Sequence, residues 1–321
     1  SVGSGSFVCR GKQNPKPATP TPPSKDGKTA FRDGAVGRDL SGAKSSGFTG
    51  NRGGDRRLAA KRGDMPTDRI TPEKLRKWPK GQPLLALTAY DYPLGRILDE
   101  AGVDLIHVGD SLGMVVLGMP DTTEVTMADM IRATEAVARG RKRAMISADL
   151  PAGSYDTAEA CVKNSRALMA AGADAVKPEG GEESRSQWEA LGKAGIPWIG
   201  HLGMLPQKVR EEGGYKRKGK TREEVEKLIR EAKEMEKSGA CAIVLELVDA
   251  EASKEITEAL QVPTIGIGAG KGTTGQIRVT HDLLGFTPWF KPGFVKQDLG
   301  FAGKITAMVK GFRKSGSAGL G

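Results

Sequence analysis

Arg143-Ala144-Met145-Ile146-Ser147-Ala148-Asp149-Leu150 is a short, mostly apolar run that does not alternate and carries a carboxylate one residue before its end. Such a run reads as a strand buried on both faces, the signature of a parallel sheet. The same pattern recurs at 84–90, 104–110, 173–180, 197–203, 242–248 and 263–270. Helical patterns lie between these runs, at 92–101, 126–139, 157–171, 182–194 and 220–239. In the last, Val225, Leu228, Ile229, Ala232 and Met235 form one apolar stripe. Thr221 with Glu224 reads there as a capping box, Glu226 stands four residues before Arg230, and Gly239 is a natural stop.

Seven βα units are thus counted. An eighth strand is expected near 284–287, followed by a helix at 299–312. Eight units in the 257 residues after position 64 fit a (β/α)8 TIM barrel. An open, doubly wound sheet is the alternative, disfavoured because the first strand-to-helix turn, Thr88-Ala89-Tyr90-Asp91-Tyr92, has no glycine phosphate loop.

The 321-residue chain carries a net charge of +10, unevenly distributed. Residues 1–64 hold 13 Lys and Arg against five Asp and no Glu, whereas residues 65–321 hold 36 basic and 34 acidic side chains. The folded body is therefore not a basic nucleic-acid binder. The domain division expected is a Gly/Ser/Pro-rich basic extension over 1–64, too poor in apolar residues to order itself, and a catalytic barrel over 65–321. Three explanations compete for the extension: a start-site artefact with Met65 opening the protein, an organellar transit peptide, and a basic tail for acidic partners. No apolar run is long enough to span a bilayer. Cys9, Cys161 and Cys241 are too few for a disulfide framework, so a reducing compartment, the cytoplasm, is expected, or an organelle if 1–64 is a transit peptide.

In a parallel barrel the strands' carboxyl ends face the active site. Reading each run to its end gives Tyr90 and Asp91, Asp110 and Ser111, Asp149, Lys177 and Glu179, His201, and Glu246. Three of these, Asp110, Asp149 and Glu179, are carboxylates, hard oxygen ligands that suit Mg2+ better than zinc. Lys177 and Glu179, two apart, share a strand face. A cation beside a metal suits an anionic substrate such as a 2-oxo acid, with the metal as Lewis acid for an enolate and Glu246 as the base. Each residue also has a plainer reading: a strand-end Asp as a helix N-cap, Lys177 as an ion-pair lysine, His201 as a structural histidine. His107 and His281 read as structural, and Cys161 and Cys241 as core. Gly266-Ile267-Gly268-Ala269-Gly270 lacks the spacing of a phosphate loop, and its glycines read as sites of close backbone approach.

Several stretches resemble the ketopantoate hydroxymethyltransferase family, in order: Val108-Gly109-Asp110-Ser111-Leu112-Gly113-Met114, Ala148-Asp149-Leu150-Pro151, Val176-Lys177-Pro178-Glu179-Gly180-Gly181, Gly200-His201-Leu202-Gly203 and Gly213-Gly214-Tyr215-Lys216. Leu245-Glu246, Ile265 to Gly270 and His281-Asp282 continue the match, which covers roughly 70–310. The resemblance implies a TIM barrel of the phosphoenolpyruvate/pyruvate type. It also implies transfer of a hydroxymethyl group from 5,10-methylenetetrahydrofolate to 3-methyl-2-oxobutanoate, giving 2-dehydropantoate for pantothenate biosynthesis. Asp110, Asp149 and Glu179 would ligate Mg2+; Asp110, Ser111, Asp149, Lys177 and His201 would contact the oxo acid; Glu246 would accept the C3 proton. A homo-oligomer, often a decamer, is implied as well.

The sequence departs from the family pattern at Arg132-Ala133-Thr134, usually a Tyr-His pair, at Thr274, usually Asp, and at Gly293, usually Lys. Folate docking and subunit packing are the properties these positions would alter. The rivals are another 2-oxo-acid C–C lyase or hydrolase of the superfamily, whose Lys-Lys-Cys-Gly-His lid is absent from the sequence, and an inactive barrel scaffold.

Overall fold

The computed structural model describes residues 68–289, 292–295 and 299–315. The extension 1–64, its boundary and Cys9 lie outside them. Eight strands follow in chain order: β1 Leu84–Thr88, β2 Leu105–Val108, β3 Met145–Asp149, β4 Ala175–Lys177, β5 Ile199–Gly203, β6 Ala242–Glu246, β7 Thr264–Ile267 and β8 Gly275–Arg278. They pair in parallel in the order β4-β3-β2-β1-β8-β7-β6-β5. A parallel bridge from Val176 to Trp198 closes the seam between β4 and β5, with the Val176 N–H donating to Pro197 O at 3.1 Å. The result is the expected TIM barrel.

The helices are α1 Pro72–Arg76, α2 Tyr92–Glu100, α3 Leu112–Val115, α4 Met127–Gly140, α5 Ala158–Ala170, α6 Arg185–Lys193, α7 Val209–Glu212, α8 Arg222–Lys237, α9 Ala250–Glu258, α10 Thr280–Leu284 and α11 Phe301–Ser315. No helix among the described residues is long and apolar enough to cross a membrane.

The eighth strand lies elsewhere than expected. β8 is Gly275–Arg278, and Leu284 instead ends α10, where Gly285 takes φ +70°. β8 escapes a search for apolar runs because only Ile277 of its four residues is apolar. The α8 cap is also half of what the sequence suggests. Thr221 Oγ1 accepts from the Glu224 N–H, but the Glu224 carboxylate takes the Lys220 N–H rather than that of Thr221. The reciprocal box forms on α4, between Thr126 and Asp129. Glu226 pairs with Arg222, one turn before it, at 3.0 Å.

Two apolar layers hold these elements. Inside the barrel each strand contributes at least one buried side chain: Leu84, Leu105, Met145, Ala175, Ile199, Ala242, Ile265 and Ile277. Leu75 of α1 packs with them. The second layer lies between strands and helices, around Val137, Ile146, Leu168, Trp188, Met235 and Ile256. Filled with side chains, the barrel leaves its open end at the strands' carboxyl termini.

Candidate active site

That end holds a cavity of about 570 Å3. Asp110, Ser111, Asp149, Lys177, Glu179, His201 and Glu246, singled out from the sequence, all line it. Of the other strand-end residues, Asp91 takes the plainer role: its carboxylate caps α2 by accepting from the Leu94 N–H at 2.8 Å. Tyr90 donates to or accepts from Ser111 Oγ at 2.8 Å.

Strand parity explains the convergence. Met145, Ser147 and Asp149 alternate onto the inner face of β3, and Leu105 and His107 onto that of β2. Lys177 Nζ stands 2.8 Å from Asp149 Oδ1, both side chains at most 6% exposed. Asp149 Oδ2 accepts from the Asp110 N–H at 3.0 Å and faces His107 Nε2 at 3.2 Å, while His107 Nδ1 meets Ser147 Oγ at 2.8 Å. His107 is thus part of the site, a correction to its purely structural reading; the parity it shares with Leu105 was the available signal.

Gln207 was missed altogether. It sits in the 3-10 turn Pro206–Lys208 after β5, where no periodicity points at the cavity. Its side-chain amide donates to Asp110 Oδ2 at 2.8 Å and Leu150 O at 2.9 Å, and its backbone N–H donates to Glu179 Oε2 at 3.1 Å. Its amide oxygen accepts from Tyr155 OH at 2.6 Å. One residue therefore ties together carboxylates carried by two different strands.

The charges of the cluster are unequal. Burial alone would raise the pKa of Asp149, but the Lys177 cation and His107 outweigh it and hold the carboxyl well below the usual range. Asp110 goes the other way: burial and the neighbouring Asp149 and Glu179 charges raise it well above the ordinary value. For Lys177, burial works against the cation, and Asp149, Glu179 and Asp110 overcome it to raise the pKa. His201 lies between Glu179 Oε1, 3.3 Å from Nδ1, and Glu246 Oε2, 3.4 Å from Nε2. Burial and Lys177 push its pKa down, and the two glutamates outweigh them to bring it up to about 8. Lys177 Nζ is also 3.1 Å from His201 Nδ1, an approach that requires neutral imidazole; protonated, the ring donates to the carboxylates instead.

Three buried carboxylates beside one lysine leave an excess of negative charge, which adds to burial in keeping Asp110 from ionising. An all-oxygen, net-negative set of this kind fits a hard divalent cation. Among the described residues no group of three His, Cys, Asp or Glu side chains is already arranged to hold a metal ion; Lys177, Gln207 and His201 are the present partners of these oxygens.

The remaining expectations can be placed as well. His281 packs between the rings of Tyr90 and Phe286, and Cys161 and Cys241 are buried. Gly268 has φ +62°, and a Cβ there would come within 2.7 Å of Leu247, the close approach foreseen for the Gly266–Gly270 stretch. Of the three departures from the family pattern, only Pro292-Gly293-Phe294 lines the cavity. Thr134 is buried in α4, its hydroxyl donating to Met130 O, and Thr274 sits at the opposite, amino end of β8 against Thr264.

A closed barrel with an ion network at the carboxyl ends of its strands defines the class: a TIM-barrel enzyme. Comparison with known proteins narrows it. Residues 69–319 match the family described as ketopantoate hydroxymethyltransferase, and the chain belongs to that family. It is 50% identical to the 3-methyl-2-oxobutanoate hydroxymethyltransferase of Ignicoccus hospitalis over 246 residues, 76% of this chain and 93% of the relative. The enzyme of the same name from Pyrobaculum aerophilum is 52% identical over 229 residues, 71% of this chain and 87% of its own. Among solved structures, phosphonopyruvate hydrolase in complex with oxalate and Mg++ superposes with a TM-score of 0.54 at 14% identity, covering 77% of this chain and 88% of its own. That likeness concerns the fold alone.

Proposed function

We propose that this enzyme transfers a hydroxymethyl group from 5,10-methylenetetrahydrofolate to 3-methyl-2-oxobutanoate, giving 2-dehydropantoate, a precursor of pantothenate. The observation that carries the reading is the position of Glu246. Its carboxylate is 15% exposed in a cavity where Asp110, Asp149, Lys177 and Glu179 are almost wholly buried. A base must meet the C–H it removes, whereas groups that hold a cation and the anion beside it are best kept dry and fixed.

In this reading Lys177, with Ser111 at the cavity wall, binds the oxo acid's carboxylate end. Asp110, Asp149 and Glu179 would hold Mg2+, which, when bound, supplies a Lewis acid for the keto oxygen. Glu246 takes the proton from C3, and His201, whose Nε2 lies 3.4 Å from the Glu246 carboxylate, steadies it electrostatically between proton transfers. The enolate carbon then forms a bond to the one-carbon unit, the folate C–N bonds break, water supplies the hydroxyl, and tetrahydrofolate leaves. Exposed Tyr215 and the Pro292–Phe294 segment, which also line the cavity, would meet the larger co-substrate. A homo-oligomer acting in the cytoplasm belongs to the same proposal.

The test is deuterium exchange at C3 of 3-methyl-2-oxobutanoate in D2O with added Mg2+, with and without methylenetetrahydrofolate. Exchange without folate and product only with it are expected. No exchange by the purified chain under either condition overturns the reading.

A further inference from the structure

Glu246 ends β6, and Leu247 follows it. Side chains alternate across a strand, so Val244 and Glu246 point into the barrel and Leu247 should point away. Yet Val244, Glu246 and Leu247 all line the cavity. The backbone explains how: Leu247 has φ +47°, and among the described residues it is the one residue other than glycine with a positive φ. A bulky side chain rarely adopts this region, and the strain persists only where neighbours over-determine it.

The neighbours do so. The Leu247 N–H donates to Ile267 O at 2.9 Å, and Leu247 O accepts from the Lys218 N–H at 2.9 Å. Arg217 Nη1 clamps the next turn through Val248 O at 2.9 Å and Gly268 O at 3.0 Å. Gly268, at φ +62°, leaves the space that the Leu247 side chain fills, since a Cβ on it would lie 2.7 Å from Leu247 Cδ2 and 3.0 Å from the Phe294 ring. The chain therefore puts a leucine where glycine would sit without strain, and uses the turn to set an apolar wall in the cavity that Glu246 also lines. Backbone geometry alone gives no reason for that leucine; a ligand contact does.

We infer that Leu247 is a specificity-determining residue, the wall against which the branched alkyl group of a short 2-oxo acid packs beside Glu246. This rests on the reading of Glu246 as the base. A leucine wall limits how far the alkyl chain reaches, so an acid with one methylene more than 3-methyl-2-oxobutanoate is discriminated against.

The experiment uses the full chain with Mg2+ and compares C3 exchange, per C–H bond, of 3-methyl-2-oxobutanoate and 4-methyl-2-oxopentanoate. For Leu247→Ala and Leu247→Gly the ratio should shift toward the longer acid by about ten-fold, within the range a methylene contact commands. The glycine variant should melt no lower than the alanine variant, because glycine adopts positive φ freely. A residue that merely supports the fold would lower the melting temperature of both variants and leave the ratio as in the wild type, and that result overturns the inference. Absence of exchange by the wild type instead overturns the proposed function and takes this inference with it; exchange by the wild type with an unchanged ratio in the variants overturns the inference alone.

Discussion

The two sides of the barrel mouth are built on opposite principles. On the side of β2, β3 and β4, buried Asp149 and Asp110 are tied to Lys177, His107 or Gln207, of which Lys177 and His107 are buried as well. On the side of β6 and β7, the wall is Val244, Leu247 and Ile267, the one carboxylate is partly exposed, and the backbone is strained. The first side is a fixed, net-negative cluster around one lysine, suited to a hard cation; the second leaves a base free to meet a carbon acid. The lesson is that one site can keep its charges immobile and its base accessible only by separating them onto different strands, with His201 of β5 between.

Substitutions can break this contrast. The largest effect is expected from Glu246→Gln, which should slow C3 exchange by about 10²–10⁴-fold while leaving the melting temperature nearly unchanged. A collapse in stability with exchange retained would move Glu246 to the structural side. Lys177→Met should lower stability as well as exchange, costing about 3–5 kcal/mol in urea denaturation because Asp149 is left buried without its cation; an undiminished midpoint would show that the network is not what holds that wall. His107→Ala removes the group that orients Asp149, and should weaken Mg2+ binding by about ten- to a hundred-fold in calorimetric titration. Equal affinity in wild type and variant would detach His107 from the metal-holding role. The smallest effect is expected for Thr274→Asp, which restores the residue usual in the family at the amino end of β8; kcat/KM should stay within about two-fold, since the site is at the other end of the barrel. A larger change would mean that this end communicates with the mouth.

Much of the mouth was legible in the chain itself. Runs such as 143–150 announce buried parallel strands, and reading each to its last polar residue names Asp110, Asp149, Lys177, Glu179, His201 and Glu246. What escaped did so for identifiable reasons. β8 is short and carries Gln276 and Arg278, so it has no apolar run. His107 faces Ser147 only through the register His107↔Ser147 between neighbouring strands, which no local pattern encodes. Gln207 lies in a 3-10 turn, whose position depends on where β5 ends relative to β2 and β3.

The sequence alone determined the barrel architecture and the strand-end residues of the site, because side-chain period and strand-end chemistry are local properties of the chain. Only the tertiary structure decided which groups hold one another, which carboxylate stays accessible, and that Leu247 turns inward. Those depend on register across strands and on a backbone conformation that long-range hydrogen bonds from β7 and from Arg217 and Lys218 impose on a residue that would not adopt it alone.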